Sequence, residues 1–313
     1  MRGSKVVSFG HYQPEQVVPN SELEKLVETS DEWITRRVGI KERRWAQDHE
    51  SVDYMATEAG RMALANANLQ ASDIDMVVVA TCTAVDRAPN MAARVALALG
   101  MENSPATLDV NTACSGFNHA LAMAQHAVMA GSASNALVIA SERLTDVTDF
   151  TDRTTCVLTA DGAGAVVVSA SAEQAISPVL WGSVPQMSDA VRIEHSNNDK
   201  FAQNGQSVFR WTTTQLPKIA QQIIDKAGLE PAEIDGIVLH QANLRIIEPL
   251  AQKIGAPNAR VATDVVYSGN TSAASVPLAL SKMMADDPLP AGSKVLLFAF
   301  GGGLTYAGQV ITV

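Results

Sequence analysis

Apolar positions along the chain recur with two periods. Phe117, Leu121, Ala124 and Val128 stand at helical spacing, whereas Ala136–Ile139, Val166–Val168 and Val295–Phe298 are short continuous runs that read as strands. The pattern also repeats itself. Residues 67–79 read like residues 227–239, with Leu69 answering to Leu229, Ile74 to Ile234 and Asp75 to Asp235. Each copy predicts a helix end, a short turn and a β-rich run. A second echo joins Leu108-Asp109-Val110 to Thr263-Asp264-Val265, each followed by a turn of small residues and an apolar helix. Ala136–Ile139 and Val295–Phe298 form a third pair. Two similar halves of mixed helices and short apolar strands predict an α/β architecture. We place the halves at residues 1–170 and 171–313. No linker rich in Pro, Gly or Ser separates them, so a rigid shared interface is expected. Residues 185–206 are polar and weakly periodic, which predicts a surface loop.

The first echoed turn carries Cys114, in the run Thr112-Ala113-Cys114-Ser115-Gly116-Phe117. The β-rich residues 106–110 lead in and the helix pattern leads out, so the thiol is expected on a strand-to-helix turn. Free cysteines are most often buried packing residues. Here, however, a helix N-terminus offers unpaired N–H groups and partial positive charge, which favour a thiolate. The second echoed turn carries Asn270, and His240 precedes Gln-Ala-Asn-Leu-Arg. A thiolate with two side-chain N–H donors suits acyl transfer between thioesters. His119 and His126 are seven apart, not the four of a helical metal pair, and His11, His49 and His195 have no chemical neighbours in sequence. Cys82 and Cys156 read as packing residues, and no metal site is predicted. Asp161-Gly162-Ala163-Gly164-Ala165 leads into a strand, whereas a dinucleotide fingerprint leads into a helix. Those glycines are expected to permit close packing, with no nicotinamide cofactor.

Composition narrows the partners. The 313 residues are 47% apolar and 18% charged, ordinary for a globular chain. No apolar run reaches the roughly 18 residues of a membrane span, and the N-terminal residues lack the apolar stretch of a secretory leader. Three widely spaced cysteines form neither a disulfide framework nor a metal pair, so a reducing cytoplasm is expected. A net charge of −10 argues against nucleic acid. An anionic substrate would then need a local basic mouth. Arg36, Arg37, Lys41, Arg43 and Arg44 form one cluster, and Trp33 beside them suits an adenine ring and its phosphates.

Cys114, His240 and Asn270 occur together with further segments. These are residues 29–34, Gly39-Ile40, Asp152-Arg153, residues 161–165 and Phe300-Gly301-Gly302-Gly303. The set resembles the β-ketoacyl-acyl-carrier-protein synthase III family, condensing enzymes of the thiolase fold, over nearly the whole chain. The resemblance implies a layered α-β-α-β-α sandwich. It implies decarboxylative condensation of an acyl-CoA primer with malonyl-acyl carrier protein, starting fatty-acid or polyketide chains. Cys114 would carry the acyl group. Its own N–H and that of Gly302 would hold the tetrahedral oxyanion, and His240 and Asn270 the malonyl oxygen. Trp33, Arg37 and Arg153 match positions that contact CoA, a substrate here; no separate cofactor is expected. Arg210, Arg245 and Lys253 fall near the carrier-protein surface. Ala88, Met91, Leu144 and Thr159 are expected at the acyl pocket. Ala88 and Thr159 stand where aromatic residues are common, which implies primers bulkier than acetyl. A homodimer is implied, with residues 81–93 reaching into the second copy's pocket. Two alternatives use the same frame: acyl transfer from Cys114 to an alcohol or amine, and a non-catalytic polyketide partner subunit. The intact trio argues against the latter.

Overall fold

The computed structural model describes residues 2–313. The chain begins with β1 (Gly3–Tyr12), β2 (Gln16–Pro19), α1 (Asn20–Leu23), α2 (Asp31–Val38), β3 (Glu42–Trp45) and α3 (Val52–Ala67). Next come β4 (Met76–Ala80), α4 (Met91–Ala98), β5 (Ala106–Val110), α5 (Gly116–Ala130), β6 (Asn135–Arg143) and β7 (Asp161–Ser171). It continues through β8 (Leu180–Ser183), β9 (Val191–Glu194), β10 (Lys200–Gln203), α6 (Gly205–Lys226), β11 (Gly236–Leu239) and α7 (Leu244–Ile254). It closes with β12 (Arg260–Val261), α8 (Val265–Ser268), α9 (Ser275–Asp286), β13 (Lys294–Gly301) and β14 (Thr305–Thr312).

Two five-stranded sheets result, ordered β1-β7-β6-β4-β5 and β12-β11-β13-β14-β8. In the first, β4 runs parallel to β5 and β6, and β7 runs antiparallel to β6 and β1. In the second, β11 runs parallel to β12 and β13, and β14 runs antiparallel to β13 and β8. The continuous apolar runs have a physical reason, since successive strand side chains point to opposite faces. Val78 and Ala80 enter the central core with Phe117 and Leu121 of α5, Ala279 and Leu280 of α9, and Val238 and Leu297 of the second sheet. Val77 and Val79 point the other way, into a core with Met55 and Ala59 of α3 and Val95 of α4. Leu239 and Phe298 likewise meet Ile219 of α6 and Ile247 of α7. The layers are therefore α, β, α, β, α, with α5 and α9 enclosed between the sheets.

The repeated turns before β4 and β11 carry the same device. Asp73 accepts from Gln70 N–H at 2.8 Å, and Glu233 accepts from Glu230 N–H at 2.8 Å. Both are reciprocal capping boxes. Gly164 of β7 serves close packing, because a Cβ there would lie 2.4 Å from Leu278 N of α9. Residues 185–206 differ from the expected loop. They contain a 3₁₀ turn and the antiparallel hairpin β9–β10. Strands of four residues are too short to show a period in sequence. The hairpin matters to the site, since Val191 O lies 3.1 Å from where a Gly302 Cβ would stand.

Candidate active site

Cys114 occupies a 3₁₀ turn, Ala113–Ser115, between β5 and the enclosed helix α5. Ala113 has φ 47°, a left-handed conformation costly for a residue with a Cβ. The sister turn Ser272–Ala274 precedes α9, and Ser272 has φ 49°. The two turns meet: Ser272 Oγ donates toward Cys114 Sγ at 3.6 Å. From the other side, Gly301 approaches so closely that a Cβ there would lie 2.5 Å from Cys114 Cβ. The backbone N–H groups of Gly302 and of Cys114 itself bond toward the thiol sulfur. Two such donors around one sulfur can receive the oxyanion of an acyl group attached there. Burial dominates the resting thiol and pushes it up to about 11.

His240 follows β11, and its backbone N–H is held by Phe298 O at 2.9 Å. Its Nδ1 lies 2.7 Å from Ser275 Oγ, the first residue of α9. Ser275 Oγ already accepts from Gln241 N–H at 3.2 Å. The remaining hydroxyl proton of this buried serine has Nδ1 as its acceptor, so the proton of the neutral ring belongs on Nε2. Burial holds His240 down to about 3, which keeps the ring neutral. Phe300 packs edge-on to the imidazole at 5.5 Å. Asn270 is fixed through its backbone to Leu158 O and Ala160 N–H, both at 2.9 Å. Its Oδ1 accepts Ser272 N–H at 2.9 Å, which aims the amide and leaves Nδ2 as a donor. A single turn, residues 270–275, thus touches all three chemical groups. An uncharged imidazole and an amide are two neutral donors, suited to an enolate oxygen.

A cleft of about 460 Å³ is lined by Trp33, Arg36, Arg37 and Arg245. Ser30 caps α2 by accepting Trp33 N–H at 3.1 Å. Arg153 lays its guanidinium over the Trp33 ring at 5.3 Å and donates to Glu28 O at 2.9 Å. Trp33, Arg37 and Arg153 are therefore brought together, with Arg36 in addition. Arg245, expected near the carrier-protein surface, lines this same cleft. It also reaches over Phe209 of α6 at 5.7 Å, beside Arg210. Lys253 of α7 lies along α6, donating to Thr213 O at 3.0 Å. Arg43 leaves the expected basic mouth altogether. It is fully buried and donates to Val18 O, Asn20 Oδ1 and Val157 O.

The acyl-pocket residues divide. Thr159 is buried, bridges to Asn270 through the backbone and accepts Thr148 Oγ1–H at 2.8 Å. Leu144 is buried in the turn after β6. Met91 does not line this site; it belongs to the outer core with Met55, Val79 and Val95. It starts α4, whose apolar face must seal the first sheet. Ala88 is exposed within this chain, on the loop before α4. His119 stacks on Trp181 at 5.5 Å, and His126 meets the same ring edge-on. Among the described residues no acidic, His or Cys cluster fit for a metal is present, and no helix is long and apolar enough to cross a membrane.

Sequence reading missed three residues. Ser272 links the two turns, and its place opposite Ala113 in the repeat was the available signal. Glu142 lies wholly buried near the end of β6, where a carboxylate ending an apolar run was the signal. Cys82, read as packing, contacts both Glu142 and Ser272.

A cysteine among backbone donors, tied through one turn to a neutral histidine and an amide in a five-layered frame, defines a thiolase-fold condensing enzyme. Family models agree: the 3-oxoacyl-[acyl-carrier-protein] synthase III model matches residues 108–185, and its C-terminal counterpart matches residues 224–313. Beta-ketoacyl-[acyl-carrier-protein] synthase III 2 of Streptomyces avermitilis is 60% identical over 99% of both chains. Synthase III 4 of Streptomyces coelicolor is 59% identical over 99% of this chain and 98% of its own. Among solved structures, the priming β-ketosynthase of the R1128 polyketide pathway superposes with a TM-score of 0.97. It is 36% identical and covers 100% of this chain and 96% of its own. The chain belongs to the 3-oxoacyl-[acyl-carrier-protein] synthase III family.

Proposed function

We propose that this enzyme condenses an acyl-CoA primer with malonyl-acyl carrier protein, using Cys114, His240 and Asn270. The thiolate of Cys114 attacks the primer's thioester carbon, and the carbon–sulfur bond to CoA breaks. Cys114 N–H and Gly302 N–H receive the transient oxyanion. Malonyl thioester then loses CO₂, and the electron pair of the broken carbon–carbon bond forms an enolate. His240 Nε2–H and Asn270 Nδ2–H bond to its oxygen. The enolate carbon attacks the acyl-Cys114 carbonyl, and release of the sulfur frees the 3-oxoacyl product. The observation that carries this reading is the pair of neutral donors anchored on the 270–275 turn. An imidazole held far below its usual range is a poor base, and an amide is none, so hydrolysis is disfavoured. Removing one such donor typically costs about 10²–10³ in rate.

Trp33, Arg36, Arg37 and Arg153 are assigned to CoA, and Arg210, Arg245 and Lys253 to the carrier protein. A homodimer in the cytoplasm is our reading of the assembly. In its support, β5 is a free sheet edge, and Leu97 is 81% exposed on the adjoining helix. The exposed loop around Ala88 would then complete the acyl pocket of the second copy. The test is a split between half-reactions. His240→Ala and Asn270→Ala should still gain acyl mass on Cys114, yet release CO₂ from malonyl carrier at least 10²-fold more slowly. Asn270→Ala condensing at the parental rate would refute the assignment of the enolate site.

A further inference from the structure

Beneath the nucleophile lies a buried acidic cluster that the condensation steps above do not use. Glu142 is 0% exposed and has no ion-pair partner among the described residues. Its carboxylate accepts from the Thr83 hydroxyl at 2.6 Å and the Thr81 hydroxyl at 3.2 Å. It also accepts from Cys82 N–H at 3.1 Å and the Cys82 thiol at 3.3 Å. The Cys82 sulfur stands 3.7 Å from Ser272 Oγ, which lies 3.6 Å from the Cys114 sulfur. The Ser272 hydroxyl and the Cys82 thiol therefore stand in line between the nucleophile and the buried carboxylate.

Three acids share this dry pocket: Glu142 from β6, Cys82 from the segment after β4, and Cys114 from its turn. Thr81, Thr83 and Ser272 are neutral, and Arg143 turns away to Asp146 at 3.1 Å. A second uncompensated negative charge in such a pocket is costly. At rest the one charge sits on Glu142, the strongest acid of the three. Releasing the Cys114 proton to bulk water would leave two charges inside; passing it inward leaves one.

We propose that Glu142 is a positioning residue that receives the Cys114 proton through the Ser272 hydroxyl and the Cys82 thiol. The Cys114 proton moves to Ser272 Oγ, the serine's own proton moves to Cys82 Sγ, and the Cys82 proton moves to Glu142 Oε1. The S–H bonding pair becomes a thiolate lone pair, Glu142 becomes a carboxylic acid, and the pocket's net charge is unchanged. Once the Cys114 sulfur has bonded to the acyl carbon, the CoA thiolate leaves with the charge and is protonated by solvent. Glu142 keeps its proton until the Cys114 thiolate, freed with the product, takes it back along the same path. The proposal rests on the reading above only in taking Cys114 as the nucleophile. Its test needs no acyl substrate, so the two can fail separately.

The test is alkylation by iodoacetamide between pH 5.5 and 9, followed by mass spectrometry of the Cys114 peptide in the full chain. The parent should show a rate nearly level across neutral pH, because proton transfer within the cluster exchanges no proton with bulk water. Glu142→Gln should slow alkylation at pH 7 at least tenfold and make it rise about tenfold per pH unit. Ser272→Ala should do the same with Glu142 intact. Alanine suits that turn, since Ala113 holds the same conformation in the sister turn. A carboxylate acting only as a neighbouring charge predicts the opposite sign, because removing it would ease thiolate formation. Unchanged or faster alkylation in Glu142→Gln, or a parental profile in Ser272→Ala, overturns the relay. Should Glu142→Gln not fold, the Ser272→Ala profile decides.

Discussion

Gly301→Ala tests how tightly the nucleophile is held. The backbone there is extended, with φ 179°, so the substitution adds bulk without adding a conformational demand. The new Cβ would lie 2.5 Å from Cys114 Cβ and 2.9 Å from both its N and Sγ. Carbon atoms in contact sit about 3.5–4.0 Å apart, so something must move by about 1 Å. Neither neighbour yields cheaply, because Gly301 ends β13 and Cys114 is clamped between β5 and α5. A misplacement of about 1 Å can cost about 10²-fold in rate, equivalent to about 3 kcal/mol in the barrier. Overpacking should also destabilise the fold by about 1–3 kcal/mol. Gly302→Ala is the graded comparison, since its nearest neighbours would lie at 3.1 Å and the contact is milder. The assay is the rate of acyl mass gain on Cys114 from acyl-CoA, with urea midpoints measured in parallel. Gly301→Ala should lose at least 10²-fold in acylation and more than Gly302→Ala. Parental acylation with a parental midpoint would refute the close approach of β13 to the nucleophile.

Further outcomes follow from the same geometry. His240 is buried neutral with its pKa down to about 3, against about 6.5 unfolded. The unfolded chain therefore binds the extra proton first, and stability should fall as pH drops below about 6.5, by about 2 kcal/mol at pH 5. His240→Gln should flatten that decline in urea midpoints; an unchanged slope would show that His240 does not cause it. Arg210→Glu and Lys253→Glu should raise KM for malonyl carrier in a salt-sensitive way while sparing acylation. Arg245→Glu should impair both half-reactions, because it lines the cleft as well as the rim; equal effects of all three would contradict that division. Specificity constants should favour butyryl- or isobutyryl-CoA over acetyl-CoA, and a tenfold preference for acetyl-CoA would end the enlarged-pocket reading. Active enzyme should sediment with the mass of two chains, and full activity at the mass of one would exclude the dimer.

The sequence shows the trio because catalysis needs uncommon residue types on turns, where they stand out against small neighbours. The doubled sheet order was legible for a different reason: the same helix–turn–strand grammar is written twice, down to the capping residues at 70–73 and 230–233. Other features were hidden by chemistry that looks alike in sequence. Arg43 sits in a charged run as a solvated arginine would, yet its Nη1 and Nη2 donate to two carbonyls and an asparagine in the core. Met91 begins a helix beside the loop of Ala88, but its apolar body is claimed by the outer core. Ser272 resembles any turn serine, and only the meeting of two distant turns reveals its place. Strand direction in Val77–Ala80 was equally invisible, because both faces of the sheet are buried and no polar residue marks either one.

The paired turns at Ala113 and Ser272 have a mechanical consequence. One carries the sulfur and the other orients the enolate donors, and each is rooted in a helix enclosed between both sheets. A small rotation of one sheet against the other would shift the two turns in opposite senses. It would widen or close the gap between acyl carbon and enolate as a single coordinate. Distant substitutions between the sheets, at Phe117 or Leu280 for instance, should therefore alter bond formation without touching either substrate. The reaction distance is in this sense a property of the whole sandwich.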